Sequence, residues 1–212
     1  MDTPLDGARH GLSRFGRGAV NWLVEAALDI GPRLPVRDRT TLQAHHPGMS
    51  NDEIAAALVR TAARATAAVG AAGGALAAAE FLAPPSLVGI PVQLATETLA
   101  FVTIELKLVA ELHAVYGVTV PGSARDRATA YALAWARRRT AEGLAVGGLG
   151  HAARRELQHR MLRRLGRTSL TMAPMLAGAV AGAALNARET QKLGERMVKD
   201  LRRRSHLALA SR

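Results

Sequence analysis

The stretch ATAAVGAAGGALAAA, from Ala65 to Ala79, decides the fold of this 212-residue chain. Gly70 and Gly74 stand four residues apart in it, on one side of any helix it forms. A second block, MAPMLAGAVAGAAL from Met172 to Leu185, repeats the arrangement with Gly178 and Gly182. Each block joins a charged helical segment. Small residues at this spacing clear a stripe of side chains and let helix backbones approach closely, so both blocks are read as helix-packing surfaces.

Composition points the same way. Alanine and glycine supply much of the apolar content, and the aromatics are few: Phe15, Trp22, Phe81, Phe101, Tyr116, Tyr131 and Trp135. A core so poor in rings must be built from close approach. β-Branched residues never alternate with polar ones, whereas Ala, Leu, Arg and Glu dominate the long segments. The expectation is an all-α, compact bundle of five or six helices in a single domain. Cysteine is absent, which excludes disulfides, thiol catalysis and thiolate metal sites. The opening Met-Asp-Thr-Pro lacks the apolar run of a secretory signal, so a cytoplasmic protein is expected. Membrane spans need about 20 mostly apolar residues. The first Gly/Ala block stops at Glu80 and the next apolar stretch is broken by Pro84, Pro85 and Pro91, so neither is taken as a span.

Along the chain, Ala8 to Ile30 has an amphipathic pattern through Leu12, Phe15, Trp22, Leu23, Ala26 and Ile30, weakened by Gly11, Gly16 and Gly18. Gly31 to Gly48, with Pro32, Pro35, Pro47 and the pair His45-His46, is expected to be a linker, so that residues 1–49 form an N-terminal helix and linker. Ser50-Asn-Asp-Glu53 has capping-box spacing and starts a helix that ends before Pro84. The next, from about Leu87 to Tyr116, is apolar nearly all round and should be the most buried; Gly117 stops it. Ser123 and Asp126 cap a helix through Tyr131 and Trp135 to about Val146. A short helix is expected over His151–Leu165, and a long one from Ala173, with Pro174 in its first turn, to about Arg204. Residues 50–204 are thus the helical domain and 205–212 a basic tail.

Gly70-Ala-Ala-Gly-Gly74, the ending Val109-Ala-Glu-Leu-His-Ala-Val-Tyr-Gly117, and Gly178-Ala-Val-Ala-Gly-Ala-Ala-Leu-Asn186 followed by Arg188-Glu-Thr and Gly194 resemble the EcsC family of bacterial proteins over about Ser50 to Arg203. The resemblance implies a helical bacterial protein with membrane association. It supplies no catalytic residues to carry over, and no cofactor is expected.

Three carboxylates interrupt the apolar central helix: Glu97, Glu105 and Glu111. Glu97 and Glu111 fall within about 40 degrees on a helical wheel, and Lys107 is four residues from Glu111. A helical di-iron centre would add Glu-x-x-His motifs from two helices, but only Glu156-Leu-Gln-His159 has that spacing. Interhelical ion pairs are therefore expected in place of a metal. His10, His45, His46, His113, His151, His159 and His206 form no His-x-x-x-His pair, and no serine stands in a Gly-x-Ser-x-Gly elbow. Gly70-Ala-Ala-Gly-Gly lacks the strand and lysine of a phosphate loop.

The net charge of +11 is almost all arginine, with Lys107, Lys192 and Lys199 the only lysines. In the short helix Leu157, Met161 and Leu165 make one stripe and Arg160, Arg163 and Arg167 the opposite side. In the last helix Leu193, Met197 and Leu201 continue an apolar seam from Met175 and Gly182. Arg188, Lys192, Arg196, Lys199 and Arg203 form a broad basic face there, closed by Arg202 and Arg204. Like charges four apart repel by a few tenths of a kcal/mol per pair, and Glu195 to Lys199 offsets only part of this, so the face is stabilised by an anionic partner. The expectation is a non-enzymatic protein on an anionic membrane surface, at the inner face of the bacterial membrane, or on a membrane protein complex. Nucleic acid is the alternative partner, although no aromatic lies in either basic helix to stack on bases. Tyr131 and Trp135 precede Arg137-Arg-Arg139 but share a helix face as core anchors. A metalloenzyme using Glu97, Glu105 and Glu111 ranks third.

Overall fold

The computed structural model describes residues 25–82, 89–138 and 173–210. Of these, 87% are helical and none is in a strand, which makes the protein an all-α bundle. Six helices are seen: α1 over residues 25–30, running into a 3-10 turn at Gly31–Arg33; α2, Arg39–His45; α3, Asn51–Leu82; α4, Gly89–Tyr116; α5 over residues 124–138; and α6, Ala173–Ala210.

Local chemistry sets the ends. The Ser50 amide donates to Glu53 Oε2 at 2.8 Å and the Glu53 amide donates to Ser50 Oγ at 3.3 Å, a reciprocal capping box at the start of α3. Ser123 and Asp126 repeat the exchange at the start of α5, at 2.8 and 3.2 Å. At the end of α4, Gly117 adopts φ 65°, so its N–H reaches Ala114 O and the Val118 N–H reaches His113 O, both at 3.1 Å. That pair of bonds is a Schellman ending, and the left-handed residue it requires is why glycine stands there.

Helix α4 is the centre of the bundle. Val102, Leu106, Val109, Leu112 and Val115 are buried in one cluster with Ile54 and Leu58 of α3, Trp135 of α5, and Leu193, Met197 and Leu201 of α6. The segment 31–48, expected as a linker, is instead part of this structure. Asp38 caps α2 by accepting from the Thr41 amide at 2.7 Å, and Leu42 of α2 and Ala27 of α1 are wholly buried. One buried leucine on a seven-residue helix gives no periodicity to read, while the prolines nearby give a strong loop signal. The expected helix over His151–Leu165 and the end of α5 near Val146 lie outside the described residues.

Helices α3 and α6 make the most extensive contact and run antiparallel. Their register is constant from Thr66 to Gly74 and drifts by two residues toward Asp52. Asp52 meets Arg202, Val59 meets Gly194, Thr66 meets Asn186, Gly70 meets Gly182, and Gly74 meets Gly178. The backbones come so close at the glycines that a Cβ on Gly70 or Gly74 would overlap the carbonyl of Gly182 or Gly178, and one on Gly182 would overlap Gly70 O. Helix α4 is antiparallel to α3, joined by Tyr116 to Asp52 at one end and by the Glu97 carboxylate lying against Gly73 at the other.

Candidate anionic-surface interface

The register divides the bundle into two ends. At the proximal end, Asp52, in the first turn of α3, accepts from Tyr116 Oη at 2.6 Å and pairs with Arg202 at 2.9 Å, tying α3, α4 and α6 together. The hydrogen bond from Tyr116 holds the Asp52 carboxyl below its usual range against a smaller opposing effect of burial, with Arg202 adding to the lowering. Burial first, and then the bond to Asp52, pushes the Tyr116 phenol up to about 12. Arg138 of α5 pairs with Asp200 of α6.

Beyond this clamp α6 carries its basic face. Arg188, Lys192, Lys199, Arg202, Arg203 and Arg204 are exposed, while Leu193, Met197 and Leu201 are buried against the core, so the amphipathic division expected from the spacing is present. Arg196 is half-buried. Lys192 reaches Glu189 at 3.1 Å. Between Arg188 and Arg204 the sequence has seven cations against three acids, so this pairing leaves a cationic surface. Arg160, Arg163 and Arg167 lie outside the described residues.

The three carboxylates of α4 diverge. Glu97 turns toward Gly73 of α3. Glu105, 0% exposed, accepts from Trp135 Nε1 of α5 at 2.8 Å and from Thr190 Oγ1 of α6 at 2.8 Å. Glu111 takes both arms of the Arg37 guanidinium at 2.8 Å and has Lys107 at 3.3 Å. Burial raises the Glu111 carboxyl, but the Arg37 hydrogen bonds and the charges of Lys107 and Arg37 outweigh it and hold the group below its usual range. The three therefore do not share a centre; each fastens α4 to a different neighbour. The partners of Glu105 thus include a tryptophan and a threonine. Among the described residues no three His, Asp or Glu side chains gather as a metal site. His113 is buried, bonds Val109 O through Nδ1 at 2.7 Å, and packs on the Tyr131 ring with centroids 4.7 Å apart.

Two groups of residues escaped the sequence reading. Arg37 sits in the stretch taken for a linker and is 74 residues from Glu111, so nothing local announces the pair. Beside it, a cleft of about 290 Å³ is lined by Pro32, Leu34, Leu106, Ala110, Arg127 and Tyr131 among others. Arg60 and Arg64 of α3 are both exposed. Their four-residue spacing, continued by Ala68 and Ala72 into the Gly/Ala block, is the signal that could have found them.

No family model, curated protein or solved structure matches the chain. Among the described residues one helical stretch, Asn51–Leu76, is long and apolar enough to cross a membrane by length and composition, and 44% of its most apolar part is buried inside the bundle.

Proposed function

We propose that this protein is a non-enzymatic helical module that associates peripherally with an anionic membrane surface, at the cytoplasmic face of a bacterial membrane or on a complex embedded there. The single observation that carries the reading is the exposed cationic stripe of α6, which has a buried apolar seam on its opposite side. An anionic lipid surface relieves the repulsion between Arg188, Lys192 and their neighbours. Each cation near such a surface contributes about 1 kcal/mol, and cytoplasmic leaflets carry the anionic lipid. EcsC is the family we propose, on the residue pattern from Ser50 to Arg203.

Flotation with phosphatidylcholine vesicles, with and without phosphatidylglycerol, tests the reading beside a titration with duplex DNA. Binding should require the anionic lipid, weaken with added salt, and fall at least about tenfold when Arg188, Lys192, Lys199 and Arg203 are all changed to glutamine. Absence of binding to anionic vesicles at low salt would sink the proposal. Salt-sensitive binding to duplex alone would transfer the cations to nucleic acid.

A further inference from the structure

The outward faces of α3 and α6 change character at one level of the bundle. On α3 the exposed stripe runs Arg60, Arg64, Ala68, Ala72, Leu76; on α6 it runs Lys192, Arg188, Ala184, Val180, Leu176. The register that joins Gly70 to Gly182 and Gly74 to Gly178 sets Arg64 level with Arg188 and Arg60 level with Lys192. The cations of both helices thus stop together. Past them, Ala65–Ala79 of α3 and Ala173–Ala187 of α6 contain no charged residue, and they are the same fifteen residues long in opposite directions. Large apolar side chains nevertheless face outward: Leu176 is 65% exposed, Val180 66% and Leu76 45%.

Two polar side chains of this distal end are turned the other way, while Thr96 is exposed. Asn186 lies against Gly70, and the Glu97 carboxylate lies against Gly73. At these positions the usual soluble pattern is inverted, with Asn186 and Glu97 toward the helix contacts and Leu76, Leu176 and Val180 outside.

We propose that the distal end of the α3–α6 pair inserts into one leaflet of an anionic bilayer, with Arg60, Arg64, Arg188 and Lys192 as a collar at the headgroups. This rests on the membrane reading above and adds the orientation. Fifteen helical residues extend about 22 Å, short of the roughly 30 Å hydrocarbon core, so the end enters without crossing. Charge complementarity selects the occupant: a collar of cations around an apolar tip matches a lipid surface, whose acidic headgroups lie directly above its acyl chains. Arg203 and Arg204 then stand about 22 Å or more along α6 from Arg188, beyond a Debye length of roughly 8 Å, and contribute little to binding.

The chain has no cysteine, so Leu176→Cys, Val180→Cys and Arg203→Cys each accept a single environment-sensitive fluorophore in the full-length protein. With phosphatidylcholine–phosphatidylglycerol vesicles, the labels at 176 and 180 should shift to the blue and be quenched by lipids brominated on the acyl chain. The label at 203 should remain in water. Changing Arg60, Arg64, Arg188 and Lys192 to glutamine should weaken binding by about fivefold per residue, whereas the Lys199, Arg203 and Arg204 triple variant should bind within about twofold of wild type. Leu176→Asp with Val180→Asp, at exposed positions that leave folding intact by circular dichroism, should abolish the part of the binding that survives high salt. Vesicle binding with both apolar labels still in water overturns insertion and leaves surface association standing. Labels already shielded without lipid, and unmoved by it, overturn insertion in favour of cover by another part of the chain or a second copy. No vesicle binding at all removes the membrane reading itself.

Discussion

Helix α6 is two helices in one. From Arg188 to Arg204 it has an ordinary division of labour: Leu193, Met197 and Leu201 are buried, and cations face water. From Leu176 to Asn186 the contact side is glycine and the outer side is leucine and valine. The proximal half is held by side chains filling a core that α1, α2, α4 and α5 help to build. The distal half is held by backbone against backbone. Burial of large side chains drives the first, while the second depends on what is missing from four positions, so the two halves should fail in different ways.

The sharpest break is at the glycines. Gly70→Leu, Gly74→Leu or Gly182→Leu should destabilise the protein by about 3 kcal/mol, because the added side chain meets a carbonyl that cannot yield without parting the helices. Gly178→Leu should fall within about 1–3 kcal/mol, and unchanged denaturant midpoints across all four would reject the close-packing account. Next comes Glu105 in the proximal half. Glu105→Ala leaves the Trp135 N–H and Thr190 hydroxyl unpaired in the core, at a cost of about 1–3 kcal/mol for each orphaned group, whereas Glu105→Gln keeps an acceptor and should cost less. Equal losses for the two variants would contradict the hydrogen-bonding role.

Smaller effects sharpen the comparison. Tyr116→Phe removes one bond from the proximal clamp and should cost about 1 kcal/mol. In the parent protein, ultraviolet titration should find one tyrosine ionising near 12. The acid response should also be proximal. Burial lowers the His113 pKa from its usual 6.5, the Val109 carbonyl opposes this, and Arg204 and Arg138 add to the lowering. With the folded pKa depressed, the unfolded chain binds the extra proton, so His113 contributes fully above about 6.5 and its contribution is lost as the pH falls through the folded value. Glu111, also depressed, loses its contribution as the pH drops below about 4.5. Melting temperature should therefore decline from about pH 6.5 downward, and His113→Gln should flatten the upper part of that decline. The smallest effect belongs to the distal exterior: Leu176→Ser and Val180→Ser should stay within about 0.5 kcal/mol of wild type without lipid. A larger loss would mean that these side chains are covered in the free protein.

What the sequence disclosed was whatever is written in local spacing. Glycines four apart, the Ser50–Glu53 and Ser123–Asp126 boxes, the apolar circumference of α4 and the basic stripe of α6 are all short-range patterns, and the helices followed from them. Relations between distant segments were hidden. Nothing in the spacing says that Gly70 meets Gly182, and without that register Arg64 and Arg188 are separate arginines, not two members of one collar. Arg37 was invisible for the same reason, because its worth depends on Glu111. Glu105 was foreseen as buried and paired, yet its partners include a ring nitrogen of α5 and a hydroxyl of α6, which no charge count would select.

The order of the helices in the chain has a consequence for how the protein is made. Gly74 and Gly178 belong to the interface with the most contact, yet more than a hundred residues separate them, and the Asp52–Arg202 clamp spans still more. A ribosome releases α3 and α4 long before α6 exists. Contacts of such high contact order form late, so the glycine faces of α3 stand open on the nascent chain for roughly five to twenty seconds at the usual elongation rate. During that interval, among the described helices, α3 has chiefly α4 to cover it, and any factor that shields the chain must leave before α6 can close.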